Sequence, residues 1–209
     1  MAKYKNGIQG AASGKIGNVV ASSYRGVDYL RSLPGPSSKQ PSPAQVKQRS
    51  QFAMVSGWLK PIRDIINIGF QIKNDSRTPM NLAISHTLIE ALDDGKIDFS
   101  KAVFSRGTLF ISLVTEVTVL SEAALYIKWR DAAYSAYCKA EDKATFVIYN
   151  PVKELFVTFE DVAFREEKEV MLQLPTGFID DNVFGWIHYV NTNESQVSTS
   201  VYIGKHEVV

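Results

Sequence analysis

Apolar and polar residues alternate one for one through most of the stretch from Ala124 to Gly204. Leu125, Ile127 and Trp129 alternate with Tyr126, Lys128 and Arg130. Phe146, Ile148 and Asn150 alternate with Val147 and Tyr149, and Leu155, Val157 and Phe159 with Phe156, Thr158 and Glu160. The pattern repeats at Val170–Leu174, Phe184–Val190 and Val201–Ile203, and Leu109–Leu120 offers one further strand upstream. A period of two sends successive side chains to opposite faces, so each strand can bury one face and wet the other. Asn, Asp, Gly, Pro and Ser fill the gaps and punctuate the chain with turns.

Seven short strands at this spacing predict an immunoglobulin-like β-sandwich over residues 108–209. The texture resembles fibronectin type III domains: Trp129 closes an early strand, a polar turn runs from Val190 to Ser195, and Ser and apolar residues alternate from Ser198 to Tyr202. That resemblance implies a fold and leaves function open.

The period changes to helical in residues 42–107. Ser42 suits an N-cap, Pro43 the first helical position, and Gln45 completes a capping box. Phe52, Val55, Leu59, Ile62 and Ile66 then form a stripe at three- and four-residue spacing, with Pro61 inside it predicting a kink or two abutting helices. Gly69 marks its end. Thr78 and Pro79 open a second helix, whose stripe is Met80, Ala83, Ile84, Leu88 and Ala91 and whose stop is Asp94-Gly95. Trp58 and Phe70 extend this core or mark a contact.

Residues 1–41 read as a basic, glycine-rich β-arm and linker. Ile16–Tyr24 and Val27–Leu33 predict two strands joined at Arg25-Gly26, and Pro34 to Pro41 a stiff exposed linker. A hairpin alone is marginal in water, so this one must pack on its own body, on another copy or on an anionic partner. The fold class expected is therefore α+β: an N-terminal β-hairpin arm and two helices, followed by the seven-stranded sandwich.

Charge sharpens the reading of the arm. The net charge is +1, but residues 1–80 hold 12 Lys and Arg against 3 Asp and Glu, and residues 81–209 hold 11 against 19. A basic half of +9 and an acidic half of −8 suit a polyanion partner or neighbouring copies attracted head-to-tail. Lys3, Lys5, Lys15, Tyr24, Arg25, Tyr29 and Arg31 are the candidate contact residues, and Tyr4 interleaves with them as a nucleic-acid stacking surface requires.

Little else favours chemistry. His86, His188 and His206 show no paired metal-ligand spacing, and the pairs Asp93-Asp94 and Asp180-Asp181 fall at turns without the ligand order of a calcium loop. Gly14-Lys15-Ile16-Gly17 lacks the spacing of a phosphate loop. No cofactor, metal or catalytic residue is called for. The single cysteine, Cys138, excludes a disulfide within the chain, and no apolar run is long enough to span a membrane. No secretory signal is visible, so synthesis in the cytoplasm is expected, with an extracellular or virion-associated place after assembly left open.

Several runs together resemble an uncharacterised family of proteins of about this length from Bacteroidota and their mobile elements. They are Lys5-Asn6-Gly7-Ile8, Gly14 to Val20, Tyr29 to Pro34 and Gln45 to Phe52, then Ser105 to Leu109, the Trp129 strand, Tyr149-Asn150, Leu174-Pro175 and Ser198 to Gly204. The resemblance implies the arm, helices and sandwich and a bacterial or phage setting, and supplies no catalytic residue. The expectation is a non-enzymatic structural protein that assembles into a filament or phage-like particle through its N-terminal arm. The alternatives are a nucleic-acid or polyanion binder using the basic half, and a surface module for carbohydrate with exposed Trp or Tyr on the sandwich loops.

Overall fold

The structure is a computed structural model and describes residues 3–4, 10–24, 27–36, 39–71, 77–131 and 134–209. The chain divides into two compact units, Met1–Pro43 and Ala44–Val209.

The first unit holds β1 (Lys3–Tyr4), β2 (Ala12–Ile16), β3 (Val19–Tyr24) and β4 (Val27–Ser32). They pair antiparallel in chain order as one sheet. This corrects the expected two-strand hairpin. Ile16 ends one strand instead of opening the next, because Gly17 and Asn18 form a tight turn in which Gly17 has φ +56°. A left-handed backbone is cheap only for glycine. Ile16 thus pairs with Val19 across the turn. Ala21, in the middle of β3, is the buried apolar residue of this sheet among the described residues.

In the second unit a kinked helical run comes first. α1 (Pro43–Leu59) passes through a 3-10 turn at Lys60–Ile62 into α2 (Arg63–Gly69). The break falls at Pro61, which has no N–H to give to the helical ladder. α3 (Pro79–His86) opens on Thr78, whose Oγ1 accepts a bond from the Asn81 N–H at 3.3 Å. It continues as a π-helical turn, Thr87–Ala91, into a small hairpin of β5 (Leu92–Asp93) and β6 (Lys96–Ile97). Asp94 and Gly95 both have positive φ and form its turn. Val55, Leu59, Ile62 and Ile66 are buried as the stripe requires, but Phe52 is half exposed, one turn short of the core.

Seven strands occupy the C-terminal stretch, the first opening at Leu113 and not at the expected Leu109: β7 (Leu113–Leu120), β8 (Ala124–Arg130), β9 (Lys143–Asn150), β10 (Leu155–Phe164), β11 (Glu169–Gln173), β12 (Asn182–Val190) and β13 (Val201–Glu207). They make a four-stranded sheet in the order β10-β9-β12-β13 and a three-stranded sheet in the order β11-β8-β7. Leu125, Ile127 and Leu172 of the smaller sheet share a buried cluster with Phe146, Ile148 and Ile187 of the larger.

The other face of the larger sheet is not wet. Val147, Tyr149 and Trp186 lie in a second cluster with Leu59, Ile66, Phe70, Ala83 and Phe104. The helices cover the sheet, so β9 and β12 are buried on both faces. Two glycines and two serines hold this layer close. A Cβ on Gly69 would stand 2.4 Å from the Phe104 carbonyl oxygen, and one on Gly107 2.0 Å from that of Val197. Ser200 Oγ accepts the Phe104 N–H at 2.8 Å, and Ser105 Oγ donates to the Ser198 carbonyl at 2.7 Å.

Candidate assembly surface

The register of the N-terminal sheet sorts the candidate residues. Lys15 sits opposite Val20, and Val20 opposite Arg31. Ser22 sits opposite Tyr29, and Tyr24 opposite Val27. Directly opposite residues share a face, so Lys15, Arg31, Tyr29 and Tyr24 all lie on one side. Lys15 and Arg31 lie on either side of Val20, two strand spacings or about 10 Å from each other. The reverse face carries Ile16, Val19, Ala21 and Leu30 with one charge, Asp28. Lys3 pairs with Ser13 through the backbone. Lys5 and Arg25 lie outside the described residues.

This sheet leaves apolar surface in water, as do Ile89, Leu113 and Val152 of the second unit. Tyr24, Val27 and Leu30 are 64, 67 and 65% exposed, with Tyr29 and Leu33 also exposed. β4 ends the sheet, and every one of its residues is exposed. Charge follows the same division. Residues 1–43 hold six Lys and Arg against one Asp, a net +5, and residues 44–209 hold 17 against 21, a net −4.

A second surface surrounds Trp58, which the sequence marks as core or contact. A cleft of about 620 Å³ lies between the end of α1, the β5–β6 hairpin and the β9–β10 turn. Its wall is aromatic. The Trp58 ring lies 5.8 Å from Phe99, 5.6 Å from Tyr149 and 5.5 Å from Phe156. Trp58 Nε1 is buried there and has no hydrogen-bond partner among the described residues. Burial, then the Glu154 carboxylate, raises the Tyr149 hydroxyl pKa, and the nearby Trp58 N–H opposes this without a normal hydrogen bond. These residues come from four separate elements, and no short motif joins them.

The most buried charges are structural. Arg165 has no exposure; its Nε donates to Asp142 Oδ2 at 3.2 Å, and its Nη2 lies 3.2 Å from the same oxygen as an ion pair. Nη1 donates to Ser112 Oγ at 2.9 Å and Nη2 to the Phe110 carbonyl at 2.8 Å, while the guanidinium lies 3.8 Å over the Tyr189 ring. Trp129 Nε1 donates to the Arg165 carbonyl at 2.9 Å. The group clips the entry to β7 onto the β8–β9 and β10–β11 connections and is closed to solvent. Cys138 is buried nearby, and its burial raises the thiol pKa, the reverse of an activated nucleophile.

The histidines are dispersed. His188 is fully buried in β12, and desolvation lowers its pKa to about 4. His86 is lowered by burial and then by the Arg106 charge, with Glu90 acting in the opposite sense. A ring nitrogen of His206 lies 3.1 Å from the Ile203 carbonyl oxygen. Asp180 has positive φ at its turn, and Asp181 accepts from Lys153 and from Asn150 Nδ2, which hold its carboxyl below the usual range. Among the described residues, no three His, Cys, Asp or Glu side chains are grouped to hold a metal ion, and no helix is long and apolar enough to cross a membrane.

Fold and surface together define an antiparallel β-rich protein with helices packed on one sheet, and with a separate N-terminal sheet that leaves several apolar residues in water. The chain belongs to a family of unknown function (DUF6266), whose profile matches residues 10–204. No curated protein matches it. Among solved structures it is similar to the FN1–FN3 domains of chicken contactin 1, with 13% identity over 47% of this chain and 32% of that one, at a TM-score of 0.33. It is also similar to an fn3 domain of human contactin 1, with 16% identity over 49% of this chain and 86% of that one, at a TM-score of 0.31. The chain thus spans about a third of the chicken contactin fragment.

Proposed function

We propose that this is a non-enzymatic structural protein that assembles with other copies of itself through the N-terminal sheet, into a filament or phage-like particle in a bacterial setting. The observation that carries the reading is the composition of that sheet's surface. Tyr24, Val27 and Tyr29 are exposed on one face of a sheet whose buried apolar residue, among the described residues, is Ala21, and Leu30 is exposed on the other. A thin sheet needs a covered face to be stable in water, and contiguous exposed apolar residues mark contact sites. In this reading the seven C-terminal strands are an immunoglobulin-like sandwich that serves as the rigid body being assembled. The net +5 of residues 1–43 and the −4 of the remainder favour a head-to-tail contact between unlike surfaces, and such a contact propagates unless it closes into a ring.

Negative-stain imaging of the full chain and of a variant lacking residues 1–40 tests this. Polymers or particles from the full chain alone support the reading. Dispersed single molecules from both, at millimolar concentration and low salt, overturn it.

A second reading has its own observation. Lys15, Arg31, Tyr24 and Tyr29 share one face, which suits a polyanion whose bases stack on tyrosine. Affinity for single-stranded DNA that falls steeply with added salt would support it. No binding at low salt removes it.

A further inference from the structure

We infer that β4 is a self-complementary edge that pairs antiparallel with β4 of a second copy about a two-fold axis through Leu30. The pairing rests on the self-assembly reading and adds to it a contact distinct from the head-to-tail one. β4 is the last strand of its sheet, and all six of its residues are exposed. It contains no proline and no bulge, and its two charges, Asp28 and Arg31, are of opposite sign, so they guard the edge only against registers that leave them unpaired.

The Leu33 amide fixes the phase of the hydrogen bonds along β4. Its N–H donates to the Asn18 carbonyl at 2.8 Å, towards β3. Backbone groups alternate along a strand, so Val27, Tyr29 and Arg31 also face β3. The N–H and C=O of Asp28, Leu30 and Ser32 then point outward from the sheet edge.

Two identical edges join antiparallel in one continuous sheet only about an axis normal to it. Each residue then meets one of the same parity. Centring the axis on Leu30 joins Leu30 to Leu30 and Asp28 to Ser32, both through outward backbone groups. It also joins Tyr29 to Arg31 and Val27 to Leu33. Every pair is compatible: leucine on leucine, carboxylate on hydroxyl, guanidinium on an aromatic ring twice over, and valine on leucine. Sliding one residue towards Tyr29 sets Val27 against Arg31 and Asp28 against Leu30. Sliding one residue towards Arg31 sets Arg31 against Arg31. Both shifts oppose a charge to an apolar group or to its like, so the side chains select the Leu30 register. The contact is isologous and closes on itself. It leaves the basic face free, so the dimer is the unit from which a head-to-tail array would be built.

Cross-linking of the full chain tests the register. In this pairing the two Leu30 Cα atoms lie about 5.5 Å apart, and the two Asp28 Cα atoms about 14 Å apart along the strands. Leu30→Cys should yield a covalent dimer with a short thiol-to-thiol reagent, and Asp28→Cys alone should not. A mixture of Asp28→Cys and Ser32→Cys chains should cross-link again. The unaltered chain, with Cys138 buried, is the control, and matching thermal melts establish that each variant is folded. If light scattering finds oligomers but Leu30→Cys gives no dimer, or all positions link equally, the β4 pairing is wrong while self-assembly stands. Monomers throughout overturn both.

Discussion

The N-terminal sheet and the β10-β9-β12-β13 sheet are each four antiparallel strands with alternating side chains. Their surroundings differ. In the larger sheet, β9 is buried from Ala144 to Asn150 because β7, β8 and β11 cover one face and the helices the other. In the N-terminal sheet, β4 is exposed from end to end. Alternation specifies which side chains share a face. Whether that face is covered depends on what the rest of the chain, or another chain, brings to it.

The largest expected effect lies in the covered region. Arg165→Ala leaves Asp142 buried without its partner and should destabilise the chain by about 3–5 kcal/mol. Thermal melting would register it as a large fall in midpoint. The joint change Arg165→Met with Asp142→Leu should recover much of the loss, since no buried charge then remains. If Arg165→Ala melts like the native chain, the clip is not a stabilising element.

His188 gives a smaller and pH-dependent effect. Its folded pKa of about 4 lies below the ordinary value of 6.5. Above pH 6.5 the ring is neutral in both states, and its burial costs no proton. As pH falls from 6.5 towards 4, the unfolded chain takes up a proton that the folded chain refuses, and stability declines by up to about 3 kcal/mol. Denaturant midpoints measured across this range should fall with pH, and His188→Phe should flatten the slope. An unchanged slope in that variant would assign the pH dependence elsewhere.

Gly69→Ala comes next. Its Cβ would meet the Phe104 carbonyl oxygen and, at 2.8 Å, Ser105 Cβ. Overpacking of that kind costs about 1–3 kcal/mol, read as a shift in denaturant midpoint. The least stability effect belongs to the exposed edge. Leu30→Lys should stay within about 0.5 kcal/mol of native and yet abolish the β4–β4 dimer. Should it melt much lower, Leu30 supports its own sheet and is not a contact residue.

Much of the fold is legible in the sequence. The seven C-terminal strands, the kink at Pro61, the Thr78 cap and the Asp94-Gly95 turn all follow from local period and turn chemistry. Three things do not. The Gly17-Asn18 turn is hidden in a strand-like stretch, because Ile16 and Val19 continue the apolar run on either side of it. The double burial of β9 and β12 is visible locally only in that both alternating sets are apolar, Phe146 and Ile148 beside Val147 and Tyr149, and Trp186 beside Ile187 and Tyr189. Phe52 fits the helical stripe but sits a turn beyond the sheet that would bury it. At the candidate surface, the gathering of Lys15, Tyr24, Tyr29 and Arg31 on one face depends on the register set by that hidden turn. The aromatic cleft around Trp58 depends on long-range packing with no local signature.

Mass in solution tests the central claim most directly. Light scattering of the full chain over a range of concentrations, beside Leu30→Lys and the variant lacking residues 1–40, separates the two regions. The account predicts a multiple of 23.3 kDa for the full chain, a collapse towards the single-chain mass when residues 1–40 are removed, and loss of the dimer with Leu30→Lys. A single-chain mass for the full protein at every concentration and salt would contradict it.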